Sequence, residues 1–375
     1  MIKVFHCADI HLDSPFSLCS PREAERHRTE LRAAFTSAIM FARENKADIF
    51  LISGDLFDRE YVTRDTKEML IREFTKASDM RFFISPGNHD ALTSDSPYYD
   101  MRFPENVYVF GKERERVSLK DLGVDVYGFG FESINHISSP VANWKIEDKN
   151  KINILVCHGD TTSSSQTGPI KENEIASSGF DYIALGHIHK PSGILKSGET
   201  FYAYPGCIEG RGFDEQGYKG ALFGNIDKGV CEMQSYRFSK GRYETAEVDI
   251  SACKDKISVV ETVRGAIRIY TDDTSLRLIL KGETDFAFTL LPEEIGKGRE
   301  YPCYIEIIDE TFLKPDLTEL EKSNTLRGVF VRLMTEKLES AKDDPEKYKT
   351  LTLALKYGLA SLEGRSVVDY NGGEK

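Results

Sequence analysis

Gly186-His187-Ile188-His189 places two imidazoles one residue apart, directly after the apolar run 182–185. Neutral imidazole is the commonest metal-ligating side chain, so this pair offers two ligands to a cation. Four other stretches present ligand-type groups in the same setting. Asp9 and His11 follow the apolar run 2–7, and Asp55 follows 48–53. Asn88, His89 and Asp90 follow 81–84, and His158 follows 152–157. Each has an ordinary structural use when taken alone. Asp9 or Asp55 could cap a helix or hold a turn, Asn88 could sit in a left-handed turn after Gly87, and His158 could be a hydrogen-bonded core histidine. Taken jointly they claim five of the eight histidines in the chain. His6, His27 and His136 lack such settings and receive no chemistry. Mixed carboxylate, amide and imidazole ligands suit Mn²⁺ or Fe, whereas a shell without cysteine disfavours structural zinc.

The elements that must hold these groups follow from periodicity. Residues 2–7, 48–53, 81–84, 152–157 and 182–185 are expected as strands. Two helices are expected at 22–44, from the apolar spacing of Leu31, Ala34, Phe35, Ala38, Ile39 and Phe41, and at about 66–77. Each strand delivers its polar residue from its C-terminal end, where open α/β sheets place their sites. Gly186 allows close backbone approach there, and Pro191 ends the turn.

After residue 236 the character changes. Strands are expected at 243–250, 276–280 and 304–308, and a helix at 257–270. Beyond residue 315 a helix carries Leu326, Val329, Phe330, Leu333, Met334 and Leu338 on one face. A second helix after Asp344-Pro345 carries Leu351, Leu355, Leu359 and Leu362, and residues 364–375 read as a disordered tail.

Composition bounds the reading. The 375 residues allow one large domain with one or two smaller ones, and 40% hydrophobic residues fit a globular protein with a real core. The net charge of −12, from 49 basic and 61 acidic residues, argues against broad attraction to nucleic acid. Any such site must be a local surface. Seven scattered cysteines, never in a CxxC arrangement, point to a reducing compartment. No run approaches the ~20 apolar residues of a membrane span, and no secretory n-region precedes the first strand. A cytoplasmic protein is expected, with no membrane partner.

In this order, Asp-x-His, Gly-Asp, Gly-Asn-His-Asp, His-Gly and Gly-His-x-His resemble the calcineurin-like metallophosphoesterase superfamily. The strings 8–16, 54–58 and 185–191 are similar to SbcD-type DNA-repair exonucleases. Tyr204-Pro205-Gly206 and the segment 210–215 resemble the YhaO-like bacterial branch. The resemblance implies a four-layer α/β β-sandwich flanked by helices, with a small α/β cap domain and a C-terminal helical pair. It divides the chain into a phosphoesterase domain at 1–240, a cap at 241–314, a helical pair at 315–363 and a tail at 364–375.

Carried over position by position, it makes Asp9, His11, Asp55 and His189 ligands of one divalent metal. Asp55, Asn88, His158 and His187 would hold a second, with Asp55 bridging and Mn²⁺ or Fe as the metal. It makes His89 the non-ligand that stabilises the transition state or protonates the leaving oxygen, with Asp90 able to orient it. Asp58 stands where some relatives carry a histidine, and its role stays open. Arg59, Arg64, Lys190, Arg211 and Lys219 are candidate phosphate contacts, or ordinary solvated surface.

The implied activity is phosphodiester hydrolysis of DNA, exonucleolytic with endonuclease activity as a further option, in DNA repair. A small-molecule phosphodiesterase or phosphomonoesterase is the alternative, and a scaffold on the same fold is a second. The partners so implied are DNA, an SbcC-type coiled-coil ATPase gripping the helical pair, and a second copy of the chain as an optional dimer.

Overall fold

A computed structural model describes residues 1–17, 21–58, 61–162, 166–313 and 317–362. The tail expected at 364–375 lies outside the described residues. The chain divides into two compact units. One comprises Met1–Glu247, Arg264–Ile279 and Leu291–Ile308; the other comprises Val248–Val263, Leu280–Leu290 and Asp309–Lys375.

The first unit is built on two six-stranded sheets. In one, Ile2–Cys7 runs parallel to Ile49–Ile52, then Arg81–Ile84 and Val107–Val109; on its other side Gly220–Asp227 pairs with it antiparallel, and Val230–Arg237 pairs antiparallel with Gly220–Asp227. In the second, Val124–Gly128, Ile152–His158, Tyr182–Gly186 and Thr200–Ala203 are parallel in that order. Antiparallel strands Glu115–Leu119 and Leu195–Ser197 form its edges. Lys112-Glu113-Arg114-Glu115-Arg116, which alternates in charge sign, runs into the first of these edge strands.

Strand periodicity of two sorts these residues into layers. Val4, Ile49, Leu51 and Phe83 pack with Val126, Ile154, Val156, Tyr182 and Ala184 in a single apolar layer joining the two sheets. Their neighbours Phe5, Phe50, Ile52, Phe82 and Ile84 face the other way. They meet Leu31, Phe35 and Ala38 of helix Pro21–Glu44 and Met69, Leu70 and Phe74 of helix Arg64–Lys76. On the second sheet Leu155, Cys157, Ile183 and Leu185 pack outward on Ile175, Phe180 and Trp144. The result is the layered sandwich expected, its second helical layer reduced to the short helix Glu172–Ala176 and loops. Full burial of one such Phe is worth ~1.5–3 kcal/mol, so this aromatic-rich core carries much of the stability.

His6 occupies the inter-sheet layer as a satisfied polar residue. One ring nitrogen lies 2.9 Å from Tyr182 Oη and the other 2.9 Å from Ser53 Oγ. Burial lowers its pKa to about 3, outweighing the hydrogen bond with the Leu185 backbone, so the ring stays neutral and bridges the sheets.

The rest of the chain forms smaller elements. Arg242–Asp249, Thr274–Lys281 and Tyr304–Asp309 make a three-stranded sheet. Leu326–Ser340 and Pro345–Leu362 pair as helices around Val331, Met334, Leu355 and Leu359, supported by Phe330 and Leu338. The stripe expected to share one face is thereby split. Phe330, Met334 and Leu338 turn into the hairpin, while Leu326, Val329 and Leu333 are exposed at 71%, 43% and 53%. Among the described residues no helix is long and apolar enough to cross a membrane, and six cysteines are free thiols.

Candidate metal centre

The C-terminal ends of five parallel strands meet at one place. Asp9, Asp55 and Asn88 leave Ile2–Cys7, Ile49–Ile52 and Arg81–Ile84 of the first sheet. His158 and His187 leave Ile152–His158 and Tyr182–Gly186 of the second. The turns that aim them are unusual. Asp9, His11, Asp55 and His187 all have positive φ, at 51°, 51°, 53° and 106°. Non-glycine residues hold such a backbone only where the surroundings over-determine it, commonly at functional sites. Gly186 is required by contact: a Cβ there would overlap the Ser53 carbonyl oxygen, which also accepts from His158 Nδ1 at 2.9 Å. Gly54, at φ +90°, lies against the His158 ring in the same way.

Hydrogen bonds fix which ring nitrogen faces inward. His11 Nδ1 donates to Asp58 Oδ1 at 2.9 Å, and His189 Nδ1 donates to Glu215 Oε1 at 2.6 Å. In the neutral form each ring therefore turns an Nε2 lone pair inward, and those two Nε2 atoms stand 3.3 Å apart. His158, its Nδ1 proton on Ser53, turns its Nε2 lone pair on Asn88 Oδ1 at 2.9 Å and Asp55 Oδ2 at 3.4 Å. Asp55 Oδ2 also lies 3.8 Å from His11 Nε2, and Asp9 Oδ1 lies 3.8 Å from His189 Nε2. His187 Nδ1 lies 3.3 Å from Asn88 Oδ1, and its backbone N–H donates to both oxygens of Asp9.

Lone pairs facing lone pairs repel unless a cation lies between them, so this donor set fits divalent metals. The triads Asp9–His11–His189 and Asp9–Asp55–His158 each bring their ligand atoms within 4.8 Å of one another. Asp55 stands between imidazoles from both sheets, where a bridging carboxylate belongs.

Electrostatics divide the rings: burial works to lower His189, but the bond to Glu215 and the Asp9 charge outweigh it and raise that ring in the absence of a cation. Burial lowers His11 and His187 to about 4, keeping both neutral and able to ligate. Burial pushes Asp9 up to about 6 despite His158 and His189, and the Asp55 charge adds to the rise. Burial acts the same way on Asp55, but His158 and His11 outweigh it and hold that carboxyl low.

His89 stands apart from this set. Its ring is half exposed, and its Nδ1 faces Asp58, 3.3 Å from Oδ1 and 3.3 Å from the main-chain oxygen. The bond to Asp58 raises its pKa to about 9 against the effect of burial. Asp58, left open by the sequence, thus serves His11 and His89 together. A third triad, His11–Asp58–His89, forms around it. Asp90 turns its carboxylate to the backbone N–H groups of Gly87, Asp55, Leu56 and Phe57 and to the Tyr98 hydroxyl. It ties the Asp55 loop to the Asn88 loop.

Among the basic candidates, Arg59 lies outside the described residues. Arg64 is exposed and paired with Glu68 at 2.6 Å, Lys190 is exposed beside His189, and Lys219 is buried. Arg211 is largely buried, its guanidinium 2.9 Å from Glu215 and 3.4 Å from Asp58. Sequence reading attached no role to Glu215, Ser53 or Asp160, the last 3.9 Å from His187 Nε2. Asp58 alone had a positional signal, three residues after Asp55.

Comparison with known proteins bears on this geometry. A family model described as calcineurin-like phosphoesterase matches residues 2–191. The uncharacterized metallophosphoesterase YhaO of Bacillus subtilis is 26% identical over 354 residues, covering 85% of this chain and 84% of that protein. The DNA double-strand break repair protein Mre11 of Aeropyrum pernix is 26% identical over 305 residues, covering 72% of this chain and 68% of its own. The SbcD component of the nuclease SbcCD from Staphylococcus epidermidis is 24% identical over 245 residues, covering 57% of this chain and 63% of its own.

Proposed function

Because the chain belongs to the calcineurin-like phosphoesterase family, and so is a metal-dependent phosphoesterase, we propose that its substrate is DNA. In this reading it is an exonuclease, with endonuclease activity as a second mode, working in DNA repair in the cytoplasm. The observation that carries the catalytic part is the convergence of the His11, His189 and His158 lone pairs on Asp9 and Asp55. The DNA part rests on the relatives named as nucleases and break-repair proteins.

One cation would be held by Asp9, His11, Asp55 and His189, and the other by Asp55, Asn88, His158 and His187. Two divalent ions, Mn²⁺ before Fe, would supply charge neutralisation at phosphorus and a nucleophile at neutral pH. His89, its Nδ1 held by Asp58, keeps Nε2 for the phosphoryl or leaving oxygen. Asp90 keeps the Asp55 and Asn88 loops in register. Lys190 and Arg64 are the exposed cations we assign to backbone phosphates; the Arg211 guanidinium already serves Asp58 and Glu215.

The test sets purified protein against end-labelled duplex DNA, single-stranded DNA and a chromogenic phosphodiester. Chelation should abolish activity. Mn²⁺ should restore it better than Mg²⁺, which prefers all-oxygen surroundings. DNA cleavage should weaken with salt as phosphate contacts are screened. Salt-independent activity confined to nucleotides and the chromogenic ester would favour the small-molecule alternative, to which the net charge of −12 lends weight. A chain inert on all three with Mn²⁺ bound would favour the scaffold, against which the complete ligand set argues.

We also read the residues after 315, which share a compact unit with Val248–Val263 and Leu280–Leu290 of the expected cap, as a partner-binding segment. Leu326, Val329 and Leu333 recur at i, i+3 and i+7 on the face that the helical hairpin leaves exposed. That spacing suits helix-in-groove docking onto a coiled-coil ATPase of the SbcC type. A Val329→Asp/Leu333→Asp variant should keep its fold and metal content, since neither residue is in the hairpin core. It should lose co-purification with the ATPase and the ATP-stimulated share of DNA cleavage. Undiminished co-purification would remove this face from the partner site and leave self-association as its use.

A further inference from the structure

We propose that Glu215, locked by Arg211, is a positioning residue for His189, and that the segment 210–215 couples this ligand to the three-stranded sheet. The inference rests on the two-cation reading of the site and adds residues to which that reading gives no role.

The first half of the argument is local. Glu215 is 4% exposed, and its Oε1 accepts from His189 Nδ1 at 2.6 Å. Arg211 holds that carboxylate from three sides. Its backbone N–H donates to Oε2 at 2.8 Å, and its Nη2 and Nε donate to Oε1 at 2.9 and 3.3 Å. Arg211 Nη1 also reaches Asp58 Oδ1 at 3.4 Å, the same oxygen that accepts from His11 Nδ1. One guanidinium therefore spans the two carboxylates that orient His11 and His189, whose inward nitrogens are 3.3 Å apart. A carboxylate on the outer N–H of a ligating histidine fixes its tautomer and ring plane and raises its basicity.

The second half extends outward. Between Arg211 and Glu215 stands Phe213, edge-to-face with Tyr243 at 5.1 Å between ring centroids and capped by the Arg277 guanidinium at 4.2 Å. Tyr243 belongs to Arg242–Asp249 and Arg277 to Thr274–Lys281, neighbouring strands of the three-stranded sheet. Arg277 is itself fixed by Glu306, at 2.6 Å, on the third strand. Gly217, just past the segment, donates its N–H to the Tyr243 carbonyl at 2.9 Å. A shift of this sheet would move Phe213, and with it the Arg211–Glu215 clamp and the His189 ring. The geometry thus makes the cation held by His189 the one sensitive to that sheet.

The experiment titrates metal-free protein with Mn²⁺ by calorimetry, with metal content, the kcat and KM split, and metal-free melting temperature read in parallel. Wild type should bind two Mn²⁺ per chain. Glu215→Ala should weaken one site about 10–100-fold, the usual cost of removing an outer-shell partner of a metal-ligating histidine, and leave the other unchanged. Glu215→Gln, which keeps an acceptor without the charge, should fall between and serves if the alanine variant does not fold. Phe213→Ala should weaken the same single site by a smaller factor, with metal-free melting close to wild type. Two undisturbed sites in both Glu215 variants would overturn the positioning role. Equal weakening of both sites with a lower metal-free melting temperature would replace it with a merely structural one. A wild type that binds no Mn²⁺ would instead overturn the two-cation reading itself.

Discussion

His89→Ala is expected to lower kcat by about 10²–10⁴ while leaving metal content and DNA affinity near wild type, the range typical of a positioned general acid. The separation follows from placement. The His89 side chain is half exposed, and its Nδ1 is taken by Asp58 at 3.3 Å. Its hydrogen bond to the ligand set comes from the backbone N–H, which donates to Asp55 Oδ1 at 2.9 Å and which alanine keeps, while the ring itself only packs edge-to-face on His11 at 4.8 Å between centroids. The buried ligands His11 and His158 keep their hydrogen bonds to Asp58 and the Ser53 carbonyl when the His89 ring is removed. Losing the imidazole should therefore remove an interaction made in the transition state, so that kcat and kcat/KM fall together with KM little changed. Elemental analysis and DNA binding decide the matter. A variant depleted of metal would make His89 a ligand, and one with wild-type turnover would deny it any chemical role.

The legible part of this molecule was the part carried by period-two alternation. Val4 and Phe5, or Leu51 and Ile52, differ by one position and pack in different layers, so the apolar runs announced strands buried on both faces. The polar residue ending each run announced the edge on which the ligands meet. The edge and hairpin strands were harder to read. Gly220–Asp227 opens on glycine and mixes Asn and Asp into its alternation, and Leu195–Ser197 is three residues long. The supporting carboxylates were harder still. Glu215 reaches His189 across 26 residues, and no periodicity links such a pair. Asp58 was flagged by its spacing from Asp55, but its double service to His11 and His89 depends on three loops meeting. Adjacency suggested Asp90 as the partner of His89. Asp90 is instead engaged by four backbone N–H groups and a tyrosine, an accounting that requires the fold.

Asp55→Asn should have the broadest effect of any single substitution, because one carboxylate oxygen faces both halves of the site. Asp55 Oδ2 lies 3.4 Å from His158 Nε2 and 3.8 Å from His11 Nε2, while Oδ1 accepts the His89 N–H. Asparagine can retain the Oδ1 bond and the shape of the turn, so the change is chiefly the removal of a charge. In the metal-free protein burial works against that charge, but His158 and His11 outweigh it, so the folded state favours the ionised carboxylate. Metal-free Asp55→Asn should therefore melt lower than metal-free wild type. With Mn²⁺ the gap should widen. Wild type gains stability from cations that bind only the folded state, and the variant, unable to bridge two of them, loses most of that gain. Activity should fall with it by at least about 10³-fold, the equivalent of the several kcal/mol that metal ions supply to a phosphoryl transition state. His187→Ala provides the contrast, since it removes a donor from one side only and should leave one cation per chain. Metal content and melting curves with and without Mn²⁺ read the outcome. An Asp55→Asn protein that still holds two ions per chain would mean that Asp55 does not bridge them.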